Sequence, residues 1–198
     1  MSKRWPYAVP GIPDDEFIRG KVPMTKREIR ILTMAQLRLQ QQQVVWDVGA
    51  GTGSLSVEAA LITTGGKVYA IERNEAGIAL IAENCQRFGV ENITIVAGEA
   101  PAALRTLPTP QRIIVGGSGG QLAEILAHCG QRLAPGGFIV VNVLSPRNLV
   151  RTLQVLSNAP FCNRAGMYIQ SAQLEKLGRE DYFRAQNGVW IMSAQKEA

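Results

Sequence analysis

The chain has 198 residues and a mass of 21.5 kDa, which suits one domain, residues 1–198, with a sizeable hydrophobic core. The hydrophobic fraction of 46% is ordinary for a globular protein, and no apolar run approaches the roughly 20 residues of a membrane span. The net charge of +5 and the pI of about 9.4 predict attraction to an anionic partner, either nucleic acid or a polycarboxylate.

The N-terminal segment is predicted to be an irregular arm. Residues 1–13 are rich in Pro and Gly and contain no long apolar stretch, so we expect a segment that packs on the surface or against a neighbouring subunit rather than a secretory signal. A short turn is expected after residue 13, and the whole arm is expected to cover residues 1–24. Thr25 and Glu28 then fit a capping box, which predicts a helix that begins at Thr25 and continues to about Leu39.

The most informative stretch is residues 44–54, VVWDVGAGTGS, in which an apolar strand passes Asp47 and enters a glycine-rich loop. Gly49, Gly51 and Gly53 permit positive φ values and leave backbone N–H groups accessible to a ligand. A predicted helix starts at Ser54, and its N-terminus favours negative charge. The dinucleotide fingerprint needs a glycine where Ser54 stands, so Gly-x-Gly-x-Gly indicates S-adenosylmethionine (SAM) instead. A simple packing turn is the alternative.

An acidic residue follows the second predicted strand. Residues 67–71 form that strand, and Glu72 stands at its end, 25 residues after Asp47. A carboxylate at this position can accept hydrogen bonds from both hydroxyls of a ribose. The alternative is a solvated charge in front of the Asn74 helix cap.

The rest of the chain alternates helices with short apolar strands. The helices are predicted at 74–88, 101–107, 121–133 and about 148–158, and the strands at 92–96, 112–115 and 138–144. This alternation predicts an α/β fold with a doubly wound, mostly parallel sheet. Segments 164–175 and 182–194 are predicted as two strands that are joined through Gly178 and pair antiparallel. A doubly wound sheet that ends in an antiparallel hairpin is the layout of Rossmann-like SAM-dependent methyltransferases.

Cysteine and histidine usage argues against a metal site. Cys85, Cys129 and Cys162 are odd in number and lack metal-type spacing, so a reduced, cytoplasmic compartment fits best. His128 lies beside Cys129 on a predicted helix, where a structural role is favoured over metal binding. We therefore expect no metal ion.

Six segments carry a family resemblance. They are PGIPDDEFIRGKVPMTKREIR (10–30), DVGAGTGS (47–54), YAIERN (69–74), AGEAPAAL (97–104), VGGSGG (115–120) and LAPGGFIVVNVL (133–144). Together they closely resemble the decarboxylating cobalt-precorrin-6B C15-methyltransferases, and they are similar to the C-terminal half of the fused precorrin-6Y methyltransferases. The family often has Asp where Glu72 and Glu99 stand, a change that keeps the charge and alters the geometry.

This resemblance implies a function and a set of site residues. The activity is SAM-dependent methylation at C15 of a precorrin macrocycle, with decarboxylation of the C12 acetate, in cobalamin biosynthesis. The implied cofactor contacts are Thr25, Gly49, Ala50, Gly51, Thr52, Gly53, Glu72, Glu99 and Ala100. The implied substrate contacts are Gly116, Gly117, Ser118, Gly119 and Gly120. The candidates to neutralise substrate carboxylates are basic residues, above all Arg19 and Arg27, and also Lys21, Lys26, Arg30 and Arg147. No catalytic side chain is assigned, since an enamine-like meso carbon is already nucleophilic.

The resemblance also implies partners and leaves two alternatives. We expect a homo-oligomer, with the C5-methyltransferase of the same pathway as a functional partner. We expect it to bind neither nucleic acid nor a membrane. An RNA methyltransferase of the same fold would suit the basic pI. However, the sequence from residue 116 lacks the Asp/Asn-Pro-Pro-Tyr type of motif, and no aromatic-rich basic patch is evident. A non-catalytic SAM-binding subunit is the second alternative, since cofactor binding does not establish turnover.

Overall fold

The computed structural model describes residues 5–198, so the first four residues of the predicted arm lie outside the described part. The helices are α1 (Arg27–Leu37), α2 (Ser54–Ile62), α3 (Glu75–Phe88), α4 (Leu122–Arg132) and α5 (Pro146–Leu156). The strands are β1 (Val44–Val48), β2 (Lys67–Glu72), β3 (Ile93–Ala97), β4 (Arg112–Val115), β5 (Phe138–Val143), β6 (Phe161–Ile169), β7 (Ala172–Leu177), β8 (Glu180–Ala185) and β9 (Val189–Lys196). Short 3₁₀ turns lie at Asp14–Glu16 and Ala102–Leu104.

A seven-stranded sheet, in the order β3-β2-β1-β4-β5-β9-β6, organises the molecule. Strands β1 to β5 pair in parallel, whereas β9 runs antiparallel to both β5 and β6. The chain leaves β1 toward β2 and β3 and then returns to β4 on the other side of β1. The β1/β4 junction is therefore the topological switch point, where sheets of this kind bind ligands at the carboxyl ends of their strands.

Both faces of the sheet are covered by helices, which is why its strands are almost continuously apolar. Val45 and Ile114 pack with Leu37 of α1 on one face. Their neighbours Trp46 and Ile113 point to the opposite face, which α4 covers. In the described residues, no helix is both long and apolar enough to cross a membrane.

The capping box predicted at Thr25 is wrong. Helix α1 begins at Arg27 with Lys26 as its N-cap, and no side chain caps its first turn. The Thr25 carbonyl accepts a hydrogen bond from the Arg30 guanidinium, so Thr25 belongs to the arm that precedes the helix. The helix stops at Leu37 because Arg38 adopts a left-handed conformation, with φ of 50°. The helix predicted at 101–107 is likewise reduced to the 3₁₀ turn.

The C-terminal hairpin contains four strands, not the two that were predicted. Segment 164–175 spans the break between β6 and β7, and segment 182–194 spans the break between β8 and β9. Polar residues mark both breaks, where the Gln186 N–H still donates to the Ser171 carbonyl at 2.8 Å. Beyond this bond, β7 and β8 form a separate two-stranded sheet. The predicted antiparallel pairing is correct.

The arm is fastened to the domain by a buried ionic network. Arg30 is fully buried, and its guanidinium lies 2.8 Å from both the Asp14 and the Glu58 carboxylates. Glu58 also accepts hydrogen bonds from the backbone N–H groups of Gly11 and Ile12. Because its charge is already neutralised in the interior, Arg30 cannot bind a substrate carboxylate, and that candidate role is wrong.

Candidate functional site

The glycine loop between β1 and α2 lies at the switch point and contacts two other segments. A Cβ atom on Gly49 would lie 2.5 Å from the Gly117 Cα atom, which no side chain tolerates. Gly51 has φ of +58°, and a Cβ there would lie 3.3 Å from the Pro23 carbonyl oxygen. The loop therefore touches the GGSGG loop after β4 on one side and the arm on the other.

Glu72 fixes the conformation of the glycine loop. Its Oε2 atom accepts a hydrogen bond from the Gly51 N–H at 2.8 Å. Its Oε1 atom accepts two more, from the N–H groups of Arg73 at 3.0 Å and Asn74 at 2.9 Å. A carboxylate oxygen has two lone pairs, so Oε2 retains the capacity to accept from a ligand hydroxyl.

The largest of three neighbouring cavities, about 570 Å³, lies above β1, β2 and β3, and we term it the glycine-loop cavity. Gly49, Gly51, Glu72 and the 98–100 segment line it, together with Lys21 of the arm. Its volume falls within the range typical of small-molecule sites. At its edge, Arg73 forms a half-exposed ion pair of 2.6 Å with Glu99.

A second cavity, about 300 Å³, lies on the other side of the glycine loop, and we term it the arm cavity. It is lined by Pro23, Met24, Thr25, Lys26, Ile29, Gly49, Ala50, Gly51, Thr52, Leu55, Gly116, Asn142, Leu144, Ser171, Gln186, Asn187 and Val189. Thr25, Ala50 and Thr52, which were predicted as cofactor contacts, line this cavity and not the glycine-loop cavity. Lys26 brings a positive charge, although its ammonium lies 3.5 Å from Asp14.

The third cavity, about 180 Å³, lies beside the end of β5, and we term it the strand-five cavity. Gly116 and Leu144 line all three cavities. Asn142 stands between the arm cavity and the strand-five cavity. The three cavities thus converge at one point above the carboxyl ends of β4 and β5.

A buried carboxyl group lies beneath the glycine loop. Asp47 is fully buried, and its Oδ2 atom accepts a hydrogen bond of 2.6 Å from the Ser56 hydroxyl. Its Oδ1 atom has no partner among the described residues. Burial raises the pKa of Asp47 to about 6, the Ser56 hydrogen bond opposes this rise, and the nearby charge of Glu72 adds to it.

The comparisons with known proteins agree with this geometry. Residues 16–196 match a family described as the precorrin methyltransferase domain. The cobalt-precorrin-6B C(15)-methyltransferase (decarboxylating) of Salmonella typhimurium is 40% identical over 185 residues, which is 93% of this chain and 95% of the Salmonella protein. The chain belongs to the precorrin methyltransferase family. The resemblance inferred from the sequence is therefore confirmed.

Two solved structures extend the agreement to the fold of the family. A precorrin-6y C5,15-methyltransferase from Geobacter metallireducens has a TM-score of 0.90 at 37% identity, covering 96% of this chain and 100% of that one. A precorrin 8W decarboxylase from Methanobacterium thermoautotrophicum has a TM-score of 0.87 at 35% identity, covering 92% and 98% of the two chains. The predicted Rossmann-like methyltransferase fold is confirmed.

Several predicted site residues of this family member lie away from the cavities. Arg19, Arg27 and Gly120 are exposed and line none of the three, and Gly53 is buried and lines none of them either. Gly116, Gly117, Ser118 and Gly119 do line the glycine-loop cavity, together with Glu99 and Ala100. Within residues 5–198, no three His, Cys, Asp or Glu side chains are grouped to hold a metal ion.

Sequence reasoning missed several of the polar residues that line the cavities, among them Asn142, Ser171 and Gln186. Asn142 interrupts the apolar strand β5, and this interruption was a usable signal. The Thr33 hydroxyl donates to the Ile29 carbonyl at 2.7 Å, so it accepts from the Asn142 amide at 3.1 Å and holds that amide in place. Ser171 and Gln186 gave no signal, since their position depends on the unpredicted breaks in the hairpin.

Asp47 provides a test of the electrostatics under the glycine loop. Its pKa rises from 3.8 to about 6 on folding, so the folded state binds the proton more tightly than the unfolded state. Its contribution to stability is therefore fully present below the unfolded pKa and is lost as the pH rises through about 6. This change corresponds to roughly 3 kcal/mol. We compare the wild-type protein with Asp47→Asn. As the pH is lowered from about 7.5 to about 3.5, we expect the free energy of unfolding of the wild-type protein to rise, relative to that of the variant, by up to this amount.

Urea unfolding of both proteins across this pH range measures the difference, and the other carboxyl groups cancel because both proteins contain them. Parallel stability curves would show that Asp47 has an ordinary pKa in the folded protein.

Proposed function

We propose that the chain methylates C15 of a precorrin macrocycle, of the cobalt-precorrin-6B or precorrin-6B type, with SAM as methyl donor. We propose that the chain also decarboxylates the C12 acetate of this macrocycle, and that both reactions belong to cobalamin biosynthesis. The observation that carries the proposal is the convergence of three cavities at Gly116 and Leu144, beside the glycine loop. Family membership supports it, since the Salmonella relative is named for this reaction.

The glycine-loop cavity suits SAM. A side chain on Gly49 would clash with Gly117, so the bare backbone of the loop can approach the methionyl part of the cofactor, while the N–H groups of Gly49 and Gly51 keep their bonds to Ile71 and Glu72. Glu72 lines the cavity with an oxygen that can still accept a ribose hydroxyl. Glu99 and Ala100 line it beyond β3, on the side proposed for the adenine. SAM bound there supplies an electrophilic methyl group.

The arm cavity suits one edge of the macrocycle, since about 300 Å³ is too small for the whole ring. A flat ring needs close approach along one face, and the glycines that line this cavity, Gly49, Gly51 and Gly116, provide it because they have no side chains. Lys21 and Lys26 come from the arm and line the two larger cavities, where they can attract substrate carboxylates. Arg19 and Arg27 remain proposed contacts at the outer rim, each within two residues of one of these lysines. The protein thereby aligns the nucleophilic meso carbon with the methyl group and limits access of water.

The reaction itself tests the proposal. Purified protein incubated with SAM and cobalt-precorrin-6B is expected to give a product that has gained one methyl group and lost one carbon dioxide by mass spectrometry. A competing tRNA substrate should receive no methyl group. Methylation of tRNA in preference to the tetrapyrrole would favour the RNA methyltransferase alternative, and SAM binding without turnover would favour the non-catalytic one.

Glu72→Ala tests the cofactor site. The substitution removes the proposed charge-assisted hydrogen bonds to the ribose, which are worth roughly 1.5–3 kcal/mol, or about 10- to 150-fold in SAM affinity. It also releases the three N–H groups that shape the loop. Titration calorimetry measures the affinity, and Glu75→Ala, an exposed change in the first turn of α3, is the matched control. Wild-type affinity in Glu72→Ala would refute the assignment.

We also propose that the enzyme is a cytoplasmic homo-oligomer, with the C5-methyltransferase of the pathway as a functional partner. The β7–β8 hairpin supports self-association, because its paired Leu174 and Phe183 side chains are 61% and 71% exposed. Light scattering should therefore give the mass of a multimer, and replacing both residues by Glu should lower it. A monomeric wild-type protein would contradict the expectation.

A further inference from the structure

The strand-five cavity has a lining unlike that of its two neighbours. Three of its side chains are polar and uncharged, namely Ser118, Asn142 and Asn148. Apolar residues, Val115, Leu122, Val141, Val143 and Leu144, supply most of the rest. Among the described residues, no Lys, Arg, Asp or Glu lines it. A polar group that enters this cavity thus meets hydrogen-bonding groups but no formal charge.

The Asn148 amide is available to a ligand. The Asn148 backbone is already engaged, since its N–H donates to the Ser145 hydroxyl at 3.3 Å and its carbonyl accepts from Thr152 at 2.8 Å. Its side-chain amide has no hydrogen-bond partner in the part of the chain that the structure describes. Asn148 also lies in the first turn of α5, where the helix dipole favours negative charge.

We propose that the strand-five cavity receives the acetate side chain that the substrate loses as carbon dioxide. This inference rests on the function proposed above. One water takes about 30 Å³ of liquid, so about 180 Å³ accommodates a carboxylate and its methylene group. The acetate belongs to ring C, which is bonded to the C15 meso carbon. A macrocycle whose edge enters the arm cavity with C15 near Gly116, which lines both cavities, brings this side chain within reach of the strand-five cavity.

The uncharged lining suits the chemistry of decarboxylation. The bond between the methylene and the carboxylate carbon breaks, and carbon dioxide leaves with that carbon and both oxygens. The electron pair of the bond passes into the conjugated macrocycle, and the methylene takes up one proton from water to become a methyl group. Negative charge thus moves away from the carboxylate as the bond breaks. Amide and hydroxyl groups hold the carboxylate in place without the ground-state stabilisation that a fixed cation would add.

Asn148→Lys tests this assignment by placing a cation in the cavity. Loss of carbon dioxide should slow by about tenfold or more, because the ammonium stabilises the ground-state carboxylate more than the transition state. Methyl transfer should continue, so the mass spectrum after one turnover should show a product that has gained a methyl group and kept its carboxylate. Gln154→Lys is the matched control, since it adds the same charge to an exposed position of α5. The control should give the wild-type product.

A second substitution separates binding from chemistry. Asn148→Leu removes the amide without adding charge. We expect KM for the precursor to rise about tenfold, which corresponds to the loss of one hydrogen bond to an ionised carboxylate, while methylation and decarboxylation stay coupled. SAM affinity by titration calorimetry should stay at the wild-type value in both variants. Wild-type product formation and wild-type KM in both variants would overturn the assignment. A wild-type enzyme that leaves cobalt-precorrin-6B unmethylated would overturn the proposed function and this inference with it.

Discussion

The close approach of two backbone segments at the switch point determines the rest of the site. Gly49 and Gly117 approach so closely that a single Cβ atom cannot be inserted between them. This contact joins the loop after β1 to the loop after β4 and leaves an open cavity on each side. A side chain on Gly49 would separate the loops and displace the point at which the three cavities meet, whereas a Cβ atom on Gly117 would lie 3.4 Å from the Gly49 Cα atom, an ordinary contact. The parallel sheet brings these loops together because its strand order reverses there.

Two walls bound the cleft: the contact between the glycine loop and the loop after β4 forms one, and the N-terminal arm forms the other. The arm is held by buried charges rather than by glycine. Arg30 pairs with both Glu58 and Asp14, Lys26 also lies near Asp14, and these pairs tie the arm to α1 and α2. Asn84 adds a further link, since its amide bonds both to Ile18 of the arm and to the Thr52 carbonyl. Removing one member of such a buried pair leaves an uncompensated charge, so we expect the arm and the catalytic domain to unfold together. The arm is thus a fixed part of the cleft.

These two walls also show what the sequence predicts well and what it does not. The five parallel strands and the glycine loop were predictable, because apolar runs bounded by glycine are local signals. The placement of Arg30 was not, since an arginine destined for burial differs from an exposed one only through its tertiary partners. Thr25 fits a capping box in the sequence, yet the Arg30 contact to its carbonyl keeps it outside the helix. Three polar residues of the arm cavity, Ser171, Gln186 and Asn187, come from hairpin breaks that the sequence did not predict.

The positions of the positive charges explain the basic composition through binding of an anionic substrate rather than of nucleic acid. Lys21 and Lys26 line the larger cavities, where attraction of a polycarboxylate raises its encounter rate without specifying chemistry. The strand-five cavity lies beside them and is uncharged. A cation at that place would strengthen binding of the substrate more than it would help the departure of carbon dioxide, because the charge leaves the carboxylate in the transition state. Separating the cations from the reacting carboxylate therefore lets one cleft bind an anionic ring and still decarboxylate it.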